Sequence, residues 1–182
     1  MTGVIYTMRG LAYADSGDLD DALKDYTAAI EINPMVDAAY FLRGEIFANR
    51  GEWSKAQGDF DRAIALSSGG QNVSLALAHQ AWLFATWPDA PKRDGAKAIT
   101  LALRAIKLRD RAANHDVLAA AYAETGQFDG AVREETNAMN RLQREKDRKA
   151  LPDYEARLAL YQKNMPYRAE VPFPKTSGGD VG

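Results

Sequence analysis

The chain has no cysteine, which excludes disulfides, thiolate metal sites and cysteine nucleophiles. It has no apolar run approaching the ~18 residues that a membrane-spanning helix requires. Its first residues also lack the basic start and apolar core of a signal peptide. No phosphate-binding glycine loop of the GxxxxGK(S/T) or GxGxxG type occurs, and Gly69-Gly70 stands alone. An excess of one charge is missing too. With 23 basic and 25 acidic residues the net charge is -2, which argues against nucleic acid or an anionic membrane as the main partner. The only basic cluster runs from Arg141 to Lys149 and reads as a solvated helix extension. β-branched residues are few beside alanine, leucine and charged residues, which favours an all-helical chain. At 182 residues there is room for one domain with a sizeable core or a short stack of about four helix pairs.

What is present is a repeat. The stretch Tyr6 to Pro34 recurs as Tyr40 to Ser68, 34 positions later. Tyr6 pairs with Tyr40, Arg9 with Arg43, Gly10 with Gly44, Tyr13 with Phe47, Gly17 with Gly51, Ala22 with Ala56, Tyr26 with Phe60 and Ala29 with Ala63. Each type has a physical task. Gly10 and Gly44 let two helices approach with no side chain between them, and the alanines keep the second helix thin. The aromatic residues then fill the remaining volume, at roughly 1.5 to 3 kcal/mol of burial each. Gly17 and Gly51 end the first helix of each pair, where positive φ is needed, and Asp18 is placed to cap the next helix. Arg9 travels with Asp25 and Arg43 with Asp59, which implies an inter-helix ion pair in each of the two units.

Period and residue types together resemble the tetratricopeptide (TPR) repeat, a helix-turn-helix unit of that length. The resemblance implies an all-α, TPR-like α-solenoid of about four helix-turn-helix repeats with a C-terminal capping helix. The expected array covers 1–168, with repeats at 3–34, 37–68, 72–108 and 112–146, a capping helix at 152–163 and a disordered tail at 169–182. The third repeat is degenerate. Its turn is about five residues longer, filled by Trp87-Pro88-Asp89-Ala90-Pro91, and resembles a turn found in bacterial repeat proteins of this kind. In the fourth, Ala119, Tyr122, Gly126, Ala131 and Ala138 match the signature, but Glu135 stands where an aromatic residue is expected, an exchange that should weaken the contact. Tyr154, Leu158 and Tyr161 recur on one face of a final helix that Pro152 can open, suited to covering the last apolar face.

Catalytic constellations are not found, so an enzyme is not expected. His79 and His115 lie on the first helices of the third and fourth repeats, with Asp116 beside them. Without a spaced third ligand, packing is the better reading, and neither metal nor cofactor is expected. The TPR resemblance implies instead a concave groove lined by the first helix of each pair. Carried onto this chain, it would display Thr7, Leu11, Asp15, Phe41, Glu45, Asn49, Ala78, His79, Trp82, Asp116, Ala120 and Glu124. TPR proteins that clamp acidic C-terminal tails use lysines and asparagines on these faces, whereas this chain offers Thr7, Leu11 and Phe41. The implied function is a non-enzymatic protein-protein interaction scaffold whose groove takes a partner segment, basic or amphipathic. Two alternatives stay open: a homo-oligomer built through Trp87 or the Val171 to Pro174 tail, and an accessory domain of a longer enzyme or regulator. A cytoplasmic location is expected, although Met1 at the very start of the first repeat also suits a fragment lacking its targeting segment.

Overall fold

The computed structural model describes residues 2–67, 71–145 and 149–170. Among them are nine α-helices and no strand: α1 (Thr2–Ser16), α2 (Leu19–Ile32), α3 (Asp37–Asn49), α4 (Trp53–Leu66), α5 (Gln71–Thr86), α6 (Gly95–Leu108), α7 (Ala112–Glu124), α8 (Phe128–Glu145) and α9 (Leu151–Tyr161). They form two compact units divided within α5, between Ala76 and Leu77. Of the tail expected to be disordered, residues 171–182 lie outside the described residues, while Ala169 is buried.

The first unit is built twice from one hairpin. Gly17 and Gly51 take φ of 90° and 75° at the ends of α1 and α3. There the amides of Asp18 and Glu52 reach back to the carbonyls of Tyr13 and Phe47, both at 2.8 Å, while those of Gly17 and Gly51 bond to Ala14 and Ala48. This paired arrangement satisfies the last carbonyls of a helix and reverses the chain at the same time. Asp18 sits at the N-cap of α2 without capping it: its carboxylate accepts from the Ser16 hydroxyl at 3.0 Å.

The hairpin closes on glycine. A Cβ on Gly10 would lie 2.7 Å from the Tyr26 ring, and one on Gly44 would lie 2.9 Å from the Phe60 ring. Only a bare backbone lets each ring approach the first helix this closely. Ala22, Tyr26 and Ile46 form one cluster in this unit, and Phe60 meets Phe41 with ring centroids 6.0 Å apart. Beside each ring the expected ion pair is present and bidentate. Arg9 Nε and Nη2 donate to Asp25 at 2.7 and 2.7 Å, and Arg43 Nε and Nη2 donate to Asp59 at 2.8 and 2.9 Å. Arg9 lies over the Tyr6 ring and Arg43 over those of Tyr40 and Phe47. Arg43 also donates to the Thr27 hydroxyl at 3.3 Å, tying the second hairpin to the first.

In the second unit the long turn after α5 contains a 3-10 segment, Ala90–Lys92. Arg93 organises it, donating to the carbonyls of Trp87 and Pro88 at 2.8 and 3.0 Å and to Glu124 Oε1 at 2.8 Å. Asp94 then caps α6 by accepting from the Lys97 amide at 2.9 Å. Trp87 is buried, only 6% exposed, so this ring offers no docking point of the kind considered for a homo-oligomer. The hairpin of α7 and α8 carries α9 on its open side, where Tyr154 packs with Ala112, Ala138 and Leu142, and Tyr161 with Ala119, Ala123 and Ala131. The last helix ends at Tyr161, short of the expected Lys163, because Asn164 adopts φ 57° and the amides of Asn164 and Met165 bond back to Tyr161 and Leu160.

The ring-on-glycine contact predicts that Gly44→Ala destabilises the chain by about 1 to 3 kcal/mol, since the Phe60 ring has to leave its rotamer or push the helices apart. Gly58→Ala, with nothing within 4 Å of the new carbon, should be neutral or stabilising by up to ~1 kcal/mol. Urea unfolding of both variants measures the difference.

Candidate interaction surface

In the first unit, corresponding positions of α1 and α3 form matched rows. Thr7 and Phe41 are buried, the Thr7 hydroxyl donating to the Gly3 carbonyl at 3.0 Å. One turn on, Leu11 is 40% exposed and Glu45 is half-buried. Another turn on, Asp15 and Asn49 are both exposed. Burial lifts the Glu45 carboxyl to about 7. An apolar floor thus lies beside a polar, partly acidic edge, with no basic residue among the six.

The second unit is different, because its own C-terminal segment meets two of the corresponding residues, Trp82 and Glu124. Ala78, Trp82, Asp116 and Ala120 are buried, and His79 and Glu124 are half-buried. The Tyr167 ring lies 5.6 Å from that of Trp82. Arg168 Nη2 is 2.6 Å from Glu124 Oε2, and the Ala169 amide donates to the Thr86 carbonyl at 3.2 Å. Burial holds His79 down at about 4, so its imidazole is neutral at physiological pH.

Beneath that segment lies a cluster that the sequence reading missed. Arg157 of α9 donates from Nε to Asp116 Oδ1 at 2.6 Å and lies 3.5 Å from Glu135 Oε1, and all three side chains are buried, Glu135 at 0% exposure. Its guanidinium also stacks near the rings of Trp82, Tyr154 and Tyr167. Burial, and then the adjacent Asp116, push Glu135 well above the usual carboxylate range, so it retains a proton at neutral pH. Glu135 stands 16 positions after Ala119, the same spacing as Tyr26 after Gly10 and Phe60 after Gly44. Where the glycine has become alanine, the aromatic ring has become a carboxyl group that reaches α9. The exchange therefore anchors the capping helix, where the sequence suggested a weakened contact. Two signals were available: an acid in an aromatic position, and Arg157 between Tyr154 and Tyr161 on an apolar face.

His115 is held elsewhere, its Nδ1 2.8 Å from Glu134 Oε2 and its Nε2 2.7 Å from Asp110 Oδ1. Arg141 donates to both oxygens of Asp110 at 2.8 Å and holds that carboxyl down at about 2. Asp116 is committed to Arg157. Among the described residues no group of three His, Cys, Asp or Glu side chains is arranged to hold a metal ion.

Stacked antiparallel helix pairs with glycine-set crossings and a terminal helix define a helical-repeat protein of the α-solenoid class. Residues 7–71 match the family model described as tetratricopeptide repeat. The chain thus carries a tetratricopeptide-repeat stretch over residues 7–71. It is 35% identical over 63 residues to human Tetratricopeptide repeat protein 6, an alignment covering 35% of this chain and 12% of that protein. In fold it is similar to the crystal structure of MamA protein, with a TM-score of 0.62 at 17% identity, covering 89% of this chain and 92% of that one. Tetratricopeptide repeats generally mediate protein-protein contacts. No helix among the described residues is long and apolar enough to cross a membrane.

Two stability measurements follow. Arg157→Met strands Asp116 beside a second acid and should cost about 3 to 5 kcal/mol in urea unfolding. The second concerns pH. Glu45 keeps its proton in the folded state up to about 7, whereas an ordinary glutamate loses it near 4.5. The folded chain therefore binds more protons between these values, and stability falls as pH rises through them, by about 1 to 3 kcal/mol. Glu45→Gln should remove that part of the slope, as read from unfolding midpoints between pH 4 and 8.

Proposed function

We propose that this chain is a non-enzymatic interaction scaffold in which the rows Thr7, Leu11, Asp15 and Phe41, Glu45, Asn49 receive a segment of a partner protein. The observation that carries this reading is the alignment of buried Thr7 and Phe41 with exposed Asp15 and Asn49 at equivalent positions of two consecutive repeats, an edge whose acids are Asp15 and half-buried Glu45. Such a surface suits a basic or amphipathic segment, whose aliphatic residue meets Leu11 while a lysine or arginine meets Asp15. The repeats at 3–34 and 37–68 carry this reading, those at 72–108 and 112–146 complete the array, and a cytoplasmic location accompanies it.

A second reading, self-association, is favoured by one observation. Ile5 and Met8 on α1 are 59% and 67% exposed, although their counterparts 34 residues on, Ala39 and Leu42, pack inside the first unit. The Val171 to Pro174 route considered for self-association lies outside the described residues.

One set of samples tests both readings. Affinity capture followed by mass spectrometry should recover a partner with the intact chain and lose it at least tenfold with Leu11→Ser plus Asp15→Lys, two exposed positions that leave the core alone. Unchanged recovery would remove these rows from the account. Light scattering that finds a monomer at high micromolar concentration would remove the second reading.

A further inference from the structure

The segment after α9 already sits on the second unit as a ligand would. The turn at Asn164 releases the chain from the helix, and residues 166–170 are not helical. Three successive residues then make three kinds of contact. The Tyr167 ring meets Trp82, the Arg168 guanidinium meets Glu124, and the Ala169 amide donates to the Thr86 carbonyl. Among the described residues, that last bond is the one main-chain hydrogen bond that residues 166–170 make to the rest of the unit.

What these contacts leave behind matters as much as what they are. Glu124 is held independently by Arg93 at 2.8 Å, and Trp82 keeps Arg157 over its ring at 5.5 Å. The cap itself is anchored by Arg157 on Asp116 and by Tyr154 with Ala112, Ala138 and Leu142, while Tyr161 stays packed on Ala119, Ala123 and Ala131, a cluster that Tyr167 only borders. Departure of residues 166–170 would therefore strand neither the Glu124 carboxylate nor the Arg157 guanidinium, and would leave α9 attached.

The geometry points to residues Pro166 to Glu170 being an exchangeable occupant of the face formed by Trp82, Thr86 and Glu124. An extended segment of a partner protein, carrying an aromatic residue followed directly by arginine, takes their place. The seated residues specify the chemistry. The aromatic side chain replaces Tyr167 on Trp82, the arginine replaces Arg168 on Glu124, and a free main-chain amide one residue later replaces that of Ala169. An acidic residue at the arginine position is rejected by Glu124. This deepens the interaction reading and rests on it, yet it concerns the second unit alone.

The probe is a blocked synthetic peptide, Met-Pro-Tyr-Arg-Ala-Glu, titrated calorimetrically into the full chain and into the full chain bearing Tyr167→Ala and Arg168→Ala. The variant should bind at least tenfold more tightly than the intact chain, and a peptide with alanine for its tyrosine and arginine should bind to neither. A variant with unchanged circular dichroism that binds no better than the intact chain overturns the proposal. Should the double variant fail to fold, hydrogen exchange on the intact chain decides. The Ala169 amide is expected to exchange at least tenfold faster than the Ala120 amide within α7, and equal rates would mean a permanent contact and overturn the proposal. A dimer that forms in the intact chain and disappears in the double variant would also overturn it, assigning the face to a second copy. Peptide binding reads the second unit and the Leu11 and Asp15 variant reads the first, so failure of one is distinguishable from failure of the other.

Discussion

An aromatic ring laid on a glycine backbone is the contact on which the first unit depends. The Tyr26 ring occupies the space where Gly10 has no side chain, and Phe60 does the same at Gly44. The same close approach brings Asp25 and Asp59 next to the first helices, because a Cβ on either glycine would lie 3.2 Å from the aspartate Cβ. Arg9 and Arg43 then reach these carboxylates with two hydrogen bonds each, which fixes the rotation of one helix about the other as well as their distance. Packing and electrostatics are thus set by one omitted methyl group per repeat.

The fourth repeat shows what happens when that omission is lost. Ala119 carries the carbon that Gly10 lacks, and the position of the ring is taken by Glu135. A buried carboxyl group needs a partner or a proton, and here it has both: Arg157 arrives from α9, and burial keeps the acid protonated. A change that looks like damage within one repeat becomes the means of attaching the next element. It also supplies the platform, Arg157 between Trp82 and Tyr167, on which the C-terminal segment rests.

The two units consequently present their equivalent faces in different states. In the first, Leu11, Asp15 and Asn49 are exposed beside buried Thr7 and Phe41. In the second, Tyr167, Arg168 and Ala169 lie across Trp82, Glu124 and Thr86. Of the twelve residues singled out from the resemblance, those of the second unit are mostly buried or paired, and for Trp82, Asp116 and Glu124 the occupants come from this chain. A face equivalent in sequence is therefore not equivalent in availability.

The helices, the hairpin turns at Gly17 and Gly51, the arginine-aspartate pairs and the capping role of α9 were all legible from spacing, because each depends on residues within one 34-residue period or on one helical face. Local order is written locally. The cluster of Asp116, Glu135 and Arg157, the burial of Trp87 and the seating of Tyr167 to Ala169 were decided only by tertiary structure. The contacts of Arg157 with Asp116 and Glu135, and of Tyr167, Arg168 and Ala169 with Trp82, Glu124 and Thr86, join residues 22 to 85 positions apart, on elements with no shared period. A partner so remote leaves no repeating signature, and whether a side chain faces water or another part of the chain depends on where the intervening helices bring it.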